Sequence, residues 1–393
     1  MSIERTIRNI RGDHTIWLIV LLLGLFSVLA VYSATGSMAY FSHGKQAEEY
    51  LIKQMLFMTI GFVLMYVTYK FDYVQYAKIA PILLSITIPL LIYTLLFGTQ
   101  YNEARRWITI PWIGQTFQTS DFARLALILY LARSISKKQD VIKGFKSAFI
   151  PLFLPVIIVV GLIAPSDLST AALLFVTSLL LMFIGRVKMK YIFLLIGLGI
   201  AVLMLLIFIG KIFPEAVRLG TWTSRINEFF YNTDGGNQIQ QSKIAIAHGR
   251  IFGVGPGNSL QRNYLFAPYT DFIYAIIVEE YGLVGGIIII GLYLSLLIRS
   301  ISIVTKSPKT FGAMLAMGLT LNIVVQAFAN IAVSVHLLPV TGLTLPLISA
   351  GGSSIVITTI SLGIILSVSR YAEQAQKEKI ALQEIEELNE DNN

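Results

Sequence analysis

The stretch KYIFLLIGLGIAVLMLLIFIGKIF, residues 190–213, decides what kind of protein this is. Between Lys190 and Lys211 it carries no charged residue. A helix needs about 20 mostly apolar residues, rising about 1.5 Å each, to cross about 30 Å of hydrocarbon. The segment reads as a transmembrane helix, and the chain repeats the pattern on both sides of it. Ten spans are predicted, at about 16–35, 50–69, 79–97, 119–135, 147–164, 168–184, 190–213, 271–298, 311–336 and 354–370. The fourth and sixth are short and polar-ended, so neighbouring helices have to cover them. The first is long and lacks a small-residue cleavage site, which marks a retained span and not a removed signal peptide.

Composition agrees. Of 393 residues, 55% are hydrophobic and 13% charged, with a mean hydropathy of +0.72. Soluble domains carry about 25% charged residues. A soluble enzyme, a disordered chain and a secreted disulfide scaffold are therefore excluded. Without cysteine there is no disulfide, no Cys-ligated metal and no thiol nucleophile. The expected fold class is an all-α polytopic membrane protein with ten transmembrane helices. Residues 1–370 form one bundle, with a single long external loop, about 214–270, between spans seven and eight. An acidic cytoplasmic tail, 371–393, follows. It holds Glu373, Glu378, Glu384, Glu386, Glu387, Glu390 and Asp391, and reads as a solvated helix or a disordered tail.

The net charge of +8 raises the question of nucleic acid, which the placement of Lys and Arg answers. With the amino terminus in the cytoplasm, every short loop assigned to the inside is basic. Arg5, Arg8 and Arg11, Lys70 and Lys78, Arg133 to Lys146, Arg186 to Lys190, Arg299 to Lys309 and Arg370 to Lys379 all fall there. This is the positive-inside pattern, and ten spans then put both termini in the cytoplasm. The basic excess is a topology signal, and no nucleic-acid partner is expected. Most other basic residues flank span four or lie in the long loop, and loops of that length are more often functional than connective.

Ionisable and amide side chains inside spans normally face a bundle interior or a wet cavity. Three groups stand out. The first is Arg105-Arg106-Trp107 with Gln118-Thr119-Ser120-Asp121-Phe122-Ala123-Arg124. Asp121 and Arg124, three residues apart, share a helix face and can pair. The group is either a capped helix with a structural ion pair, or an outward cationic site in which Arg106 and Arg124 grip phosphate oxygens. The second is Thr270-Asp271-Phe272 with Glu279 and Glu280. Thr-Asp at a helix start is a common cap. Eight residues along a helix rise about 12 Å, which disfavours a glycosidase-like pair needing about 5–9.5 Å. Asp271 is thus the better candidate as a lone carboxylate at the membrane–water boundary. The third is the amide stripe Asn322, Gln326, Asn330, followed after His336 by the irregular run 337–354. Two prolines and three glycines there forbid a regular helix. Irregular backbone at membrane depth is tolerated only when buried in protein or lining a cavity, so this run is expected to border the same cavity. Gly253-Val254-Gly255-Pro256-Gly257-Asn258 follows no strand and lacks a Lys-Ser/Thr, so it reads as an external turn and not a nucleotide loop.

Taken together, these runs resemble the SEDS family (shape, elongation, division and sporulation), the ten-span peptidoglycan glycosyltransferases. The resemblance covers about residues 12–370. It is carried by Arg105-Arg106-Trp107, residues 118–124, Pro165 to Thr170, Gln240 to Gly257, Thr270-Asp271-Phe272-Ile273-Tyr274 with Glu279-Glu280-Tyr281-Gly282, and residues 339–354. Thr341 to Pro346 looks more like the cell-division branch than the rod-elongation branch. The chain departs from the family where Asp121 and Arg124 stand in place of Glu and Lys, where Phe266-Ala267 replaces Pro-Glu, and where Ala350 replaces Tyr.

The resemblance implies a substrate, lipid II, a disaccharide-pentapeptide on undecaprenyl pyrophosphate, polymerised through an inverting step into β-1,4 glycan at the septum. Asp271 matches the aspartate on which the family's activity depends and is expected to be the general base. Arg106 and Arg124, with or without a divalent cation (Mg or Mn), would neutralise the pyrophosphate. Asp121 belongs to the same group, and Trp107, Gln118, Ser349 and Ser353 are expected to line the cavity. The residues that would ligate a metal are not identified, and no organic cofactor is expected. A class B penicillin-binding protein transpeptidase and other division proteins are the implied partners, with the bacterial inner membrane as location and the periplasmic side as site of chemistry. The rival readings are a lipid II flippase, a noncatalytic scaffold for a partner synthase and a rod-elongation polymerase. The outward confinement of the ionisable cluster favours external chemistry.

Overall fold

The helices follow the hydropathy of the chain, and their lengths show which of them meet lipid. The structure, a computed structural model, describes residues 12–36, 47–101, 104–110, 115–137, 145–213, 217–231 and 236–391. In chain order they form α1 (His14–Thr35), α2 (Ala47–Lys70), α3 (Tyr73–Phe97), β1 (Thr99–Tyr101), β2 (Ala104–Ile110), β3 (Gln115–Gln118) and α4 (Thr119–Lys137). Then come α5 (Phe145–Ile163), α6 (Leu168–Ile184), α7 (Met189–Ile212), α8 (Leu219–Tyr231), α9 (Asn237–Gly249), α10 (Ile273–Lys306), α11 (Thr310–Ser334) and α12 (Gly352–Asp391). Among the described residues seven helices are long and apolar enough to cross a membrane: α1, α2, α3, α7, α10, α11 and α12. The span of α10 begins at Ile273 and runs to Lys306, longer than the predicted 271–298. The predicted tail continues α12 as helix to Asp391, with a Lys377–Glu373 ion pair of 2.6 Å on it.

Burial sorts the bundle into a centre and a rim. Along α7, Phe193, Met204 and Phe208 are each more than 60% exposed. Such an apolar surface would drive aggregation in water and is matched by hydrocarbon. The short, charge-bearing α4 is the opposite: most of its side chains are buried, and it packs against α3, α5, α6 and α11. Its polar start never meets lipid. There Arg124 hydrogen-bonds both Asp121 of its own helix and Gln326 of α11, with Asp121 2% and Arg124 5% exposed. The first of the two readings of this pair therefore holds in the fold: a buried structural ion pair that ties α4 to α11.

One end of the bundle gathers the start of α1, residues 369–373 of α12 and several basic residues. Gly12 N–H donates to Glu373 (2.9 Å) and Asp13 N–H to the Ser369 hydroxyl (3.0 Å). Asp13 also caps α1 and pairs with Arg299 of α10 at 2.6 Å. Arg370 lies over the Tyr69 ring, and Lys309 over Tyr371. The start of α1 and the membrane base of α12 therefore share an end. The start of α10 lies at the other.

Two features were not foreseen. Between α3 and α4, the strands β1, β2 and β3 form a three-stranded antiparallel sheet of order β1-β2-β3. The long loop is also structured, holding α8, α9 and a 3-10 turn at Gln261–Asn263. Trp222, Ile226, Phe229 and Phe230 recur at helical spacing, the signal by which α8 was readable. The segment after α9 plugs a break in α10. At Gly282 the backbone (φ 71, ψ −173) leaves the helix, a conformation open essentially to glycine alone. Val254 and Gly255 N–H donate to Glu279 and Glu280 carbonyls (both 3.0 Å), and Leu283 and Val284 N–H donate to Arg250 and Ile251 carbonyls (2.9 and 3.2 Å). The glycine-rich run, expected as a plain external turn, thus satisfies broken-helix backbone that hydrocarbon could not. The side chains close the junction. Glu279 accepts from Ser259, from the Leu260 N–H (3.1 Å) and lies 3.0 Å from His248 Nδ1; Glu280 accepts from Ser33 of α1.

Two stability predictions follow from this framework. Arg124→Gln leaves Asp121 buried without its charge partner and should cost about 3–5 kcal/mol. Thermal unfolding in detergent should show Asp121→Asn/Arg124→Gln recovering much of that loss. Gly282→Ala forces the strained conformation, about 1–3 kcal/mol, and pushes a methyl against the Ile251 carbonyl. Its unfolding midpoint should drop, while Gly291→Ala, with nothing within 4 Å, should leave the midpoint in place.

Candidate active site

At the end of the bundle opposite the start of α1, the backbone of Tyr269-Thr270-Asp271 is held at every carbonyl. Ala350 N–H donates to the Tyr269 carbonyl (2.8 Å), the Ser349 hydroxyl to that of Thr270 (2.6 Å), and Asn330 Nδ2 to that of Asp271 (2.8 Å). Asn330 also donates to the Leu343 carbonyl (2.7 Å), and Gln326 Nε2 to that of Thr344 (2.8 Å). The amide stripe of α11 therefore serves as a rack for two irregular strands of chain, 269–271 and 341–350. Because the main chain is fully anchored, the Asp271 side chain is placed without taking part in the anchoring. It does not cap α10, whose first residues have no side-chain cap. The common-cap reading of Thr-Asp fails here for that reason.

The carboxyl is half-buried. Burial pushes it above the ordinary carboxylate range, against the opposing pull of the Thr270 hydroxyl, Arg225 and Arg106. Glu279 and Glu280 are fully buried and committed to the loop junction, so neither joins Asp271 as a second acid. Gly342, at φ +72, is the closest approach of the opposite wall. A side chain there would come within 3.6 Å of Asp271 Oδ2 and 3.9 Å of an Arg225 guanidinium nitrogen. Its missing Cβ leaves the gap between Asp271 and Arg225 clear, and a positive φ suits glycine.

Two arginines on different elements lie near enough for their charge to act on this carboxyl. Strand alternation in β2 sends Arg105 and Arg106 to opposite faces. Arg105 donates to the Leu96 carbonyl (2.6 Å), whereas Arg106 turns to the start of α6, where it donates to the Ser166 carbonyl (2.8 Å) and pairs with Asp167 at 3.2 Å. Asp167 itself caps α6 by accepting from Thr170 N–H (3.1 Å). Arg225 comes from α8, in the long loop, and donates to the Thr341 carbonyl (3.2 Å). Sequence reading picked Arg106 and missed Arg225. A cleft of about 90 Å³ carries both, with Ser169, Trp222, Pro339 and Thr341 among its walls.

The other expected site residues lie elsewhere. Arg124 is enclosed with Asp121 and Gln326, so its guanidinium is framework and does not reach the cleft; this corrects its reading as a phosphate clamp. Gln118 donates its amide to Ser120 (3.0 Å) and its backbone N–H to Ser353 (3.3 Å). Ser353 thereby joins β3 to α12 and Ser349 braces Thr270, so both serines act from behind the cleft wall. Trp107 is half-buried and sits opposite Gln118 in the β2–β3 register. Among the described residues no three metal-ligating side chains of the His, Cys, Asp or Glu type gather.

Comparison with known proteins gives the family. The family model described as "Cell cycle protein", covering FtsW, RodA and SpoVE, matches residues 13–374. A protein of Geobacter sp. (strain M18) named "Probable peptidoglycan glycosyltransferase FtsW" is 35% identical over 371 residues, 92% of this chain and 98% of its own length. Stage V sporulation protein E of Bacillus subtilis (strain 168) is 33% identical over 375 residues, 93% of this chain and 99% of its own. A solved structure described as "Structural coordination of polymerization and crosslinking by a peptidoglycan synthase complex" shares the fold, with a TM-score of 0.71 at 24% identity over 91% of this chain and 98% of that one. With nearly its whole length matched by the family and by relatives above 30% identity, this chain belongs to the FtsW/RodA/SpoVE family.

Proposed function

We propose that this chain is a peptidoglycan glycosyltransferase of cell division that polymerises lipid II, with Asp271 as general base. The FtsW-named relatives support the activity. The observation that carries the residue assignment is one anchored, partly enclosed carboxyl facing Arg225 across Gly342, with Arg106 near enough for its charge to act on it. In the reaction, the C4 hydroxyl oxygen of the acceptor GlcNAc attacks the anomeric carbon of the donor MurNAc. The bond from that carbon to pyrophosphate breaks, the electron pair leaves with undecaprenyl pyrophosphate, and the hydroxyl proton passes to Asp271. Configuration inverts from α to β. Pyrophosphate leaves readily once its charge is met, so the step needs no second carboxylic acid. Arg106 and Arg225 meet that charge with fixed guanidiniums in a site of low water content. Arg106 is pre-oriented by Asp167 and Ser166, and Arg225 by Thr341.

A divalent cation, Mg or Mn, fits only with the substrate's help. Asp271 and Asp167 are the carboxylates that feel each other's charge here, and Arg106 already holds Asp167. Such an ion takes one or two carboxylates and completes its shell with phosphate oxygens and water. When bound it would add positive charge at the leaving group.

The membrane arrangement proposed is ten spans, the seven long apolar helices plus α4, α5 and α6, with residues 1–370 as one bundle in the bacterial inner membrane. The gathering of Gly12, Asp13, Ser369 and Glu373 with the basic residues supports a shared cytoplasmic end for both termini and for the acidic tail. Asp271 and the segment of α8 and α9 then face the periplasm. A class B penicillin-binding protein transpeptidase is the proposed partner, together with other division proteins. A synthase complex with the same fold, which couples polymerisation to crosslinking, supports this.

Purified protein given lipid II in detergent, with its transpeptidase partner, should make glycan strands. Asp271→Asn should lower the rate by about 10²–10⁴-fold while the protein elutes and melts as the wild type does. Strands made at the wild-type rate would remove Asp271 from the role. The pH profile tests Arg225. Asp271 must be deprotonated to act, so activity falls as pH drops through its raised pKa. Arg225→Gln removes a lowering influence, so the acid limb should move to higher pH.

A further inference from the structure

A second cavity lies beside the cleft that carries Arg106 and Arg225. It lies between α8 and α9 and encloses about 630 Å³, within the range of about 300–1,000 Å³ typical of small-molecule sites. Arg225, Thr221 and Val340 line both it and the cleft, so the two adjoin.

Its walls select a ligand class. The charged groups are Arg225 and Glu228, of opposite sign. The rest of the polar lining is hydroxyl and amide: Thr221, Ser224, Asn237 and Gln238. Amides donate and accept, hydroxyls do both, and a carboxylate accepts. This inventory matches many neutral hydroxyls and N-acetyl groups. The floor is apolar, with Ile239 and Val340, a surface for the C–H faces of pyranose rings. A polyphosphate would call for an excess of cations. A prenyl or acyl chain would call for an apolar lining, such as that of the 200 Å³ groove between α6 and α7 around Phe175, Ile196 and Leu203.

We infer that the α8–α9 cavity is a saccharide subsite, which holds β-1,4-linked N-acetylhexosamine units of the growing strand next to the reacting sugar. This rests on the polymerase reading for its role, though the binding itself does not require catalysis. A glycan held there keeps the donor end in place between additions, so the cavity should govern strand length.

The probe is the tetramer of β-1,4-linked N-acetylglucosamine, added to the full chain in detergent and followed by saturation-transfer NMR. Strand lengths made from lipid II are read in parallel on gels. The tetramer should bind wild type and Asp271→Asn alike, and Glu228→Gln and Gln238→Ala should weaken it about fivefold to tenfold, as loss of a hydrogen bond or two implies. Both variants should also shift products to shorter strands. Thr223→Val is the control, since that hydroxyl turns back to the Leu219 and Gly220 carbonyls of its own helix. Wild type that polymerises lipid II yet ignores the tetramer overturns the subsite and leaves the polymerase standing, as does variant protein with unchanged binding and strand length. Variant-sensitive tetramer binding without any polymerisation upholds the subsite and overturns the polymerase reading.

Discussion

Unpaired peptide groups cannot persist in hydrocarbon, and this constraint shapes the working end of the protein. Two stretches there leave regular helix: 335–351, and the break of α10 at Gly282. Each is relieved by a dedicated partner. Asn330 and Gln326 of α11, with Ser349, carry the first; the backbone of residues 250–255 carries the second. A buried polar group left without a partner costs about 1–3 kcal/mol, so these contacts define one geometry and not a set of alternatives. Asp271 inherits its position from them.

The same end separates ionic groups by role. Asp121 with Arg124, and Glu279 with Glu280, are enclosed and bound to neighbours in the framework. Arg106 and Arg225 line a cleft, and Asp271 is only partly enclosed. Arg225 stands on α8, a helix with no side chain fully buried, while Asp271 stands on the rigid rack of α11.

Much of this was legible in the chain before any coordinates. A 20-residue apolar period is imposed by bilayer thickness, which is a local and additive requirement; hence the seven long spans and the charge asymmetry could be read residue by residue. Asp271 was likewise readable, since Thr270-Asp271 stands at the edge of an apolar run next to a long polar loop. The amide stripe Asn322, Gln326, Asn330 and the irregular run after it could be paired because both are costly in lipid unless they satisfy each other. Arg124 shows where this reasoning ends. Its charge and spacing fit a clamp and a structural pair equally well, and only the arrival of Gln326 from 202 residues away decided for the pair.

What the amino-acid sequence determined alone is therefore the membrane character and the helix periods, because each follows from local hydropathy; it also singles out one carboxylate, Asp271, at the edge of an apolar run. What tertiary structure decided is which cations lie near that carboxylate. Arg106 is aimed by the alternation of a small sheet that hydropathy does not reveal, and Arg225 is brought in by an amphipathic helix inside a loop. The gap between Asp271 and Arg225 is bordered by a glycine 71 positions beyond Asp271 along the chain. Contacts of that separation are chosen by packing of the whole bundle, and no local pattern encodes them.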